Sequence, residues 1–486
     1  MSDGGIEREL STLDLGDRRL NRRAQGVASR LFESPQQSPK AAMRGTAEMM
    51  GAYRLFDHPE CTDKALLAAH RDRVLERVRE QARVLVIQDT TELDYTSHRT
   101  LAGRGPLSVE ERQGFFLHTQ WVVNDRRLPL GAWEASIYNR EAPSREPKDP
   151  QRRKRLPLER KESFRWLAGY RGACDLMARA PDVQVISCGD RENDIYEVFA
   201  EWHQRRLEAR VAADWEIRSN QDRCVLEDGP QETSADGLET HLIAQVARNP
   251  VLGGVRFLLK SKVQSKKAKG GGRKKVLRQG RTVRQEIRAG EIRLRPPHRP
   301  GLKLSEVTLR VVMATEIDPP PGQDPIEWVL LTSLPVGDLD QALEVLQVYL
   351  ARWEIEEFHR VLKTGCRVER LQFQDARRLK PALALYLIVA WRILYLTKLG
   401  RTCPSLACDA VFERSEWQPL WAVVRREPPP SKAPSLQEVI LMIAQMGGYT
   451  GRKCDGPPGA QAMWEGMQAM RHFAMAWAVF GPNNTS

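Results

Sequence analysis

A chain of 486 residues, 41% hydrophobic and 28% charged, is long enough for two or three domains and a large buried core, with no bias towards disorder. Its N-terminus, "MSDGGIEREL", lacks the apolar stretch of a signal peptide, and no apolar run is read as reaching the ~18 residues a membrane span needs. The formal charge of +12 points to a polyanionic partner, and eight scattered Cys without a C-x-x-C pair read as reduced thiols of a cytosolic protein.

Residues 1 to about 75 read as helical. In "LDLGDRRLNRRAQGVASRLF" the apolar positions Leu20, Ala24, Val27, Ala28 and Leu31 recur at helical spacing, with Arg18, Arg19, Arg22 and Arg23 at the start. "SPQQSP" interrupts the pattern. Two more helices follow, through "KAAMRGTAEMMGAYRLF" and "TDKALLAAHRDRVLERVRE". A basic helical module at one terminus suits a DNA reader. The pattern then turns to strands: "ARVLVIQD" (82–89), "FFLHTQWVVN" (115–124) and "LPLGAWEASIY" (128–138). A helix is expected over about 159–178, and a further strand, "DVQVISC" (182–188), before "GDRENDIYEVFAEW". This order predicts an α/β (α+β) fold with a mixed sheet flanked by helices.

From about 211 to 333 the text is β-like and loop-rich, as an inserted region would be. It holds "KSKVQSKKAKGGGRKKVLRQGRTVRQ" (260–285), with eleven Lys/Arg and no acid, a strip suited to tracking a DNA backbone. A single long helix is expected through "LDQALEVLQVYLARWEIEEFHRVLK". On it, at ~100° per residue, Arg352, Glu356 and Lys363 fall within about 60° of Tyr349. An acid flanked by cations and a phenol suits a phosphate beside a metal better than it suits water. From about 371 the chain reads as a helical, unusually apolar C-terminal region.

Two acids belong with Glu356. Asp89 follows the run "VLVIQ" and Asp190 follows "VQVISC" by one residue. Acids at strand ends are where open α/β sheets place their chemistry. Carboxylates alone can hold two hard divalent cations close together, and paired metals drive phosphoryl transfer.

"QDTTELDYT" around Asp89, "GDRENDIYE" around Asp190 and the Y-x2-R-x3-E-x6-K spacing of Tyr349, Arg352, Glu356 and Lys363 resemble the DDE transposases of the insertion-sequence IS-four family, Tn-five-type enzymes in particular. The likeness runs from "LGDRRLNRRAQ" to "WRILYLTKLG". It implies an RNase H-like catalytic core (76–370) interrupted by the β insertion (211–333), an N-terminal DNA-binding domain (1–75) and a C-terminal dimerisation region (371–486). Asp89, Asp190 and Glu356 are then the catalytic, metal-binding triad for Mg²⁺, with Mn²⁺ as the substitute. Tyr349, Arg352 and Lys363 grip the DNA end, Trp328 stacks on a flipped base, and Arg210 is matched loosely to a further DNA contact. The implied partners are double-stranded DNA, as terminal inverted repeats and as target, and a second copy in a synaptic complex. No membrane is involved, and the location is the bacterial cytoplasm, at the nucleoid when DNA is bound. The implied activity is cut-and-paste transposition. The rival readings are a metal-dependent nuclease without strand transfer and a non-catalytic DNA-binding regulator derived from a transposase.

Overall fold

The computed structural model describes residues 5–109, 111–140, 156–226, 240–265, 274–299, 301–452 and 455–481. By their contacts they form two compact units, Met1–Lys148 with Asp175–Val185 and Trp353–Ser486, and Asp149–Cys174 with Ile186–Arg352.

The first unit opens with helices Arg18–Glu33, Thr46–Asp57 and Asp63–Arg79. The first starts where the Asp17 carboxylate accepts the Arg19 N–H, at 2.7 Å, and it buries Leu20, Ala24, Val27, Ala28 and Leu31, the expected stripe. Strand Arg83–Asp94 pairs antiparallel with Gln113–Asn124, which pairs with Pro129–Tyr138. Their runs of β-branched and aromatic residues are buried on both faces. The centre of the unit is helix Ala376–Thr402, buried almost throughout from Pro381 to Gly400; its Trp391 indole N–H donates to the Pro129 carbonyl at 3.0 Å. Contrary to expectation, this helix is long and apolar enough to cross a membrane, but 89% of its most apolar window is buried inside the protein. Its hydrophobicity is that of a core element. Helices Arg414–Arg425, Leu436–Met446 and Ala460–Phe480 complete the unit.

In the second unit the end of strand Gln184–Gly189 lies parallel to Asp214–Arg218. Antiparallel strands Glu327–Thr332, Val307–Glu316 and Arg281–Leu294 follow, with Gly253–Leu259 and Val225–Leu226 both on the last of these. The β-rich segment therefore extends the sheet it interrupts. Helix Tyr196–Leu207 covers one face, where Phe199 stacks on Trp215 at 4.8 Å; helix Leu339–Ala351 also packs on these strands.

Glu216, in the strand between Cys188 and Thr332, is 1% exposed, and among the described residues neither carboxylate oxygen has a hydrogen-bond partner. Burial pushes its pKa well above the ordinary carboxylate value. A raised acid pKa favours folding below the unfolded value and costs stability as pH climbs above it. Glu216→Gln is therefore expected to raise the melting temperature at pH 8 and to have no effect at pH 4, measured by thermal unfolding.

Candidate active site

Strand Arg83–Asp94 runs five residues past Asp89, so Asp89 lies mid-strand and not at its end. The physical reason is pairing: Thr90 to Asp94 continue the ladder opposite His118 to Gly114. Burial does change at Asp89, since Val84 to Gln88 are buried and Asp89 to Glu92 are partly open. The Asp89 carboxylate accepts the Thr90 N–H at 2.7 Å, and Thr90 Oγ1 lies 2.9 Å from Nδ1 of His118.

Glu356 is exposed on helix Trp353–Arg360, which packs on the Asp89 strand. The anchors are Ile355 and Phe358, the latter stacked on Trp121 with ring centroids 4.0 Å apart. Trp121 is paired with Ile87 of the same strand pair. His359 of this helix is pushed down to about pKa 3 by burial and by Lys363, so it is neutral at physiological pH.

The expected single helix is broken. Leu339–Ala351 ends before Arg352, a new helix starts at Trp353, and Val361–Gly365 is a π turn. A constant 100° per residue therefore does not carry from Tyr349 to Lys363, and the four residues divide between the units. The π turn, a form frequent at functional sites, presents Lys363. Its ammonium donates to the Glu92 carbonyl at 2.8 Å and pairs with Glu369 at 3.2 Å. Glu369 in turn accepts the Asp94 N–H at 2.9 Å. Lys363 is thus tied to the far end of the Asp89 strand.

In the second unit, Asp190 follows its strand as expected and caps the turn Arg191–Asn193, accepting the Glu192 N–H at 2.8 Å. Gly189 before it is required, because an added Cβ would come within 2.2 Å of the Asn193 side chain. Asp194, from the same motif, is sealed under Arg223 and accepts the Asn220 and Gln221 N–H groups at 2.8 and 3.0 Å.

Three of the expected DNA-binding residues meet here. The Trp328 and Tyr349 rings sit edge to face at 5.7 Å, and the Arg352 guanidinium lies 5.8 Å from the Tyr349 centroid. A residue absent from the sequence reading joins them. Arg218 donates to the Tyr349 hydroxyl at 3.5 Å and to the Glu327 carbonyl at 3.3 Å. The only signal for it was an Arg closing the strand-like run "WEIR". Arg210, by contrast, is exposed beyond helix Tyr196–Leu207, and its side chain pairs with Glu208 at 2.8 Å.

Of the basic strip, 266–273 lie outside the described residues; the flanking Lys262–Ser265 and Lys274–Arg278 form a hairpin. Its final cations have acid partners: Arg281 pairs with buried Glu316 at 2.9 Å, tying two strands of the sheet, and Arg284 pairs at the surface with Asp318 at 2.8 Å.

The proposed triad offers only carboxylate oxygens, a donor set that fits hard divalent cations. Asp89 and Glu356 stand in the first unit and Asp190 in the second. Among the described residues no three His, Cys, Asp or Glu side chains form a group that could hold a metal ion. The seven described cysteines are all free thiols.

Comparison with known families gives three matches. The transposase DNA-binding family matches residues 3–61, the transposase DDE domain 145–392, and the transposase Tn5 dimerisation domain 388–479. The DDE match spans just over half of the chain and begins after the Asp89 strand. A DDE domain also carries divalent-metal dependence. The chain therefore belongs to the DDE-domain transposases of the Tn5 type, enzymes that cut and transfer DNA, with a DNA-binding module at the start and a homodimerising region at the end.

Proposed function

We propose that the protein is a cut-and-paste transposase that nicks each transposon end, closes the end into a hairpin, reopens it and joins the 3′ end to target DNA. The observation that carries this reading is the packing of Trp328, Tyr349, Arg218 and Arg352 in the second unit. A nuclease that only hydrolyses needs cations for phosphate. A hairpin also needs a base moved out of the stack to bend the strand back, and an aromatic ring to receive it.

In this reading Asp89, Asp190 and Glu356 are the ligands for Mg²⁺ or, in its place, Mn²⁺. When bound, the metal activates water or a 3′-hydroxyl and stabilises the leaving oxygen in phosphoryl transfer. The residues of the chain do the rest. Trp328 receives the flipped base, while Arg218, Arg352 and Lys363 hold phosphates with charge-assisted bonds and Tyr349 orients Arg218. Residues 1–75 read the terminal repeat, 76–370 carry the chemistry, and 371–486 pair two copies on synapsed ends. Arg210 is placed as a peripheral backbone contact. The site of action is the cytoplasm, at the nucleoid.

The test is a duplex carrying the inverted repeats that flank the gene, incubated with the protein and Mg²⁺. Hairpin-ended product followed by joining to a plasmid is expected. Nicked product without hairpin or joining would favour the nuclease, and binding without nicking would favour the regulator. The strip is tested separately: replacing Lys266, Lys267, Lys269 and Arg273 with Gln is expected to lower the slope of log affinity against log salt by about 3 to 4, at ~0.9 per phosphate contact. An unchanged slope in a filter-binding titration would assign the strip to solvent.

A further inference from the structure

Residues Ile6–Leu10 form a short 3-10 turn in the first unit that is bonded on two sides. Towards the helix bearing Arg18, Arg19, Arg22 and Arg23, all exposed, the Ser29 hydroxyl donates to the Glu7 carboxylate at 2.7 Å. The Gln25 amide donates to the Leu10 carbonyl at 3.1 Å. On the other side, helix Asp63–Arg79 takes hold of Glu9. Arg77 donates twice to its carboxylate, at 2.8 and 3.0 Å, and His70 Nδ1 lies 2.8 Å from it.

The surroundings fix the protonation. The Ala132 N–H donates to Nε2 of His70 at 3.2 Å, so Nδ1 carries the proton that faces Glu9. Glu9 is 4% exposed. Burial would raise its pKa, but Arg77 and His70 outweigh burial and bring it down to about 2. Arg77 also donates to the Leu130 carbonyl at 2.7 Å and lies over the Trp391 ring at 4.2 Å. Leu130 and Ala132 belong to strand Pro129–Tyr138, whose partner strand pairs with the strand of Asp89.

One buried carboxylate thus links the arginine-bearing helix to the sheet that presents a proposed catalytic acid. A buried ion pair adds little net stability over an apolar anchor. What it adds is direction, because each bond fixes an angle as well as a distance. We propose that Glu9 is a positioning residue that sets the register between the place where a DNA end is read and the place where it is cut. Successive nucleotides along a strand lie ~3.4 Å apart, so a helix displaced by that much moves the cut by one position. The inference rests on the transposase reading.

The experiment maps nicks at nucleotide resolution. Full-length protein and Mg²⁺ act on a 5′-labelled duplex carrying the terminal repeat that flanks the gene. Wild type is expected to nick at one position. Glu9→Gln and the double variant Gln25→Ala/Ser29→Ala are expected to bind within about threefold of wild type, with at least about a tenth of the nicks moved by one or two nucleotides. The double variant alters only the outer side of the turn, so it decides the matter if Glu9→Gln fails to fold. A purely structural role would lower the yield and leave the position alone. Folded variants that nick only at the wild-type position overturn the inference while leaving the transposase reading intact. A wild-type protein that makes no nick overturns both.

Discussion

Glu356→Ala, Asp89→Ala and Asp190→Ala are each expected to reduce first-strand nicking by about a thousandfold or more, while end binding stays within a few-fold of wild type. The magnitude follows from what a ligand to a catalytic metal contributes. Lewis-acid stabilisation of the developing charge amounts to several kcal/mol, and about 4 kcal/mol of lost transition-state stabilisation is a factor of roughly a thousand. Binding is spared because recognition is assigned to other groups, the exposed arginines of Arg18–Glu33 and the cations around Tyr349. The fold is spared as well. Glu356 is exposed, and its helix is held by Ile355 and Phe358. Asp89 sits just past the continuous buried run Val84 to Gln88 of its strand. Asp190 is the most sensitive to structure because it caps the turn Arg191–Asn193; Asp190→Asn keeps the cap and separates the roles. Nicking assays beside gel-shift titrations measure both quantities. A variant that still nicks near the wild-type rate would remove that residue from the chemistry.

Trp328→Ala is expected to leave first-strand nicking within about threefold and to slow hairpin closure by roughly 5- to 150-fold, the equivalent of the ~1–3 kcal/mol that a base gains by stacking on an aromatic ring. Nicking needs no flipped base, whereas hairpin closure does. Trp328→Phe is expected to recover most of the loss, since it restores a stacking face. The edge-to-face contact with Tyr349 makes a further distinction possible. If Trp328 served only to pack Tyr349, its removal would disturb the phosphate grip, and both steps would fall together. Time courses resolving nicked, hairpin and reopened products discriminate the two outcomes.

Much of this was legible in the residues. The stripe from Leu20 to Leu31, the strand pattern of Val84 to Ile87 and the turn after Gly189 are local, and periodicity or a glycine announces them. The three acids were proposed from chemistry, which limits the side chains that hold a hard divalent cation. What failed was whatever depends on partners distant in sequence. The break at Arg352 is invisible to a helical wheel, because the apolar spacing continues through it. The extension of the Asp89 strand to Asp94 comes from pairing with Gly114 to His118, not from its own polar residues. No apolar run was read as long enough for a membrane span, whereas helix Ala376–Thr402 is; that its apolar surface lies inside the protein follows from neighbours distant in sequence. Nothing local beyond the end of a strand-like run marks Arg218; the pairing of Leu330 with Arg218 brings it to Trp328 and Tyr349, whereas Arg210 came from the resemblance alone. Glu9 and His70 are 61 residues apart, and nothing in either segment indicates the other.

The central claim is that Asp89, Asp190 and Glu356 hold the divalent ions of a single reaction, and replacing each in turn with Cys tests it most directly. A thiolate is a poor ligand for Mg²⁺ and a better one for softer Mn²⁺. Each Cys variant is therefore expected to be inactive with Mg²⁺ and to recover nicking with Mn²⁺. Folded, DNA-binding variants that nick normally in Mg²⁺, or that none of the three recovers in Mn²⁺, would contradict it.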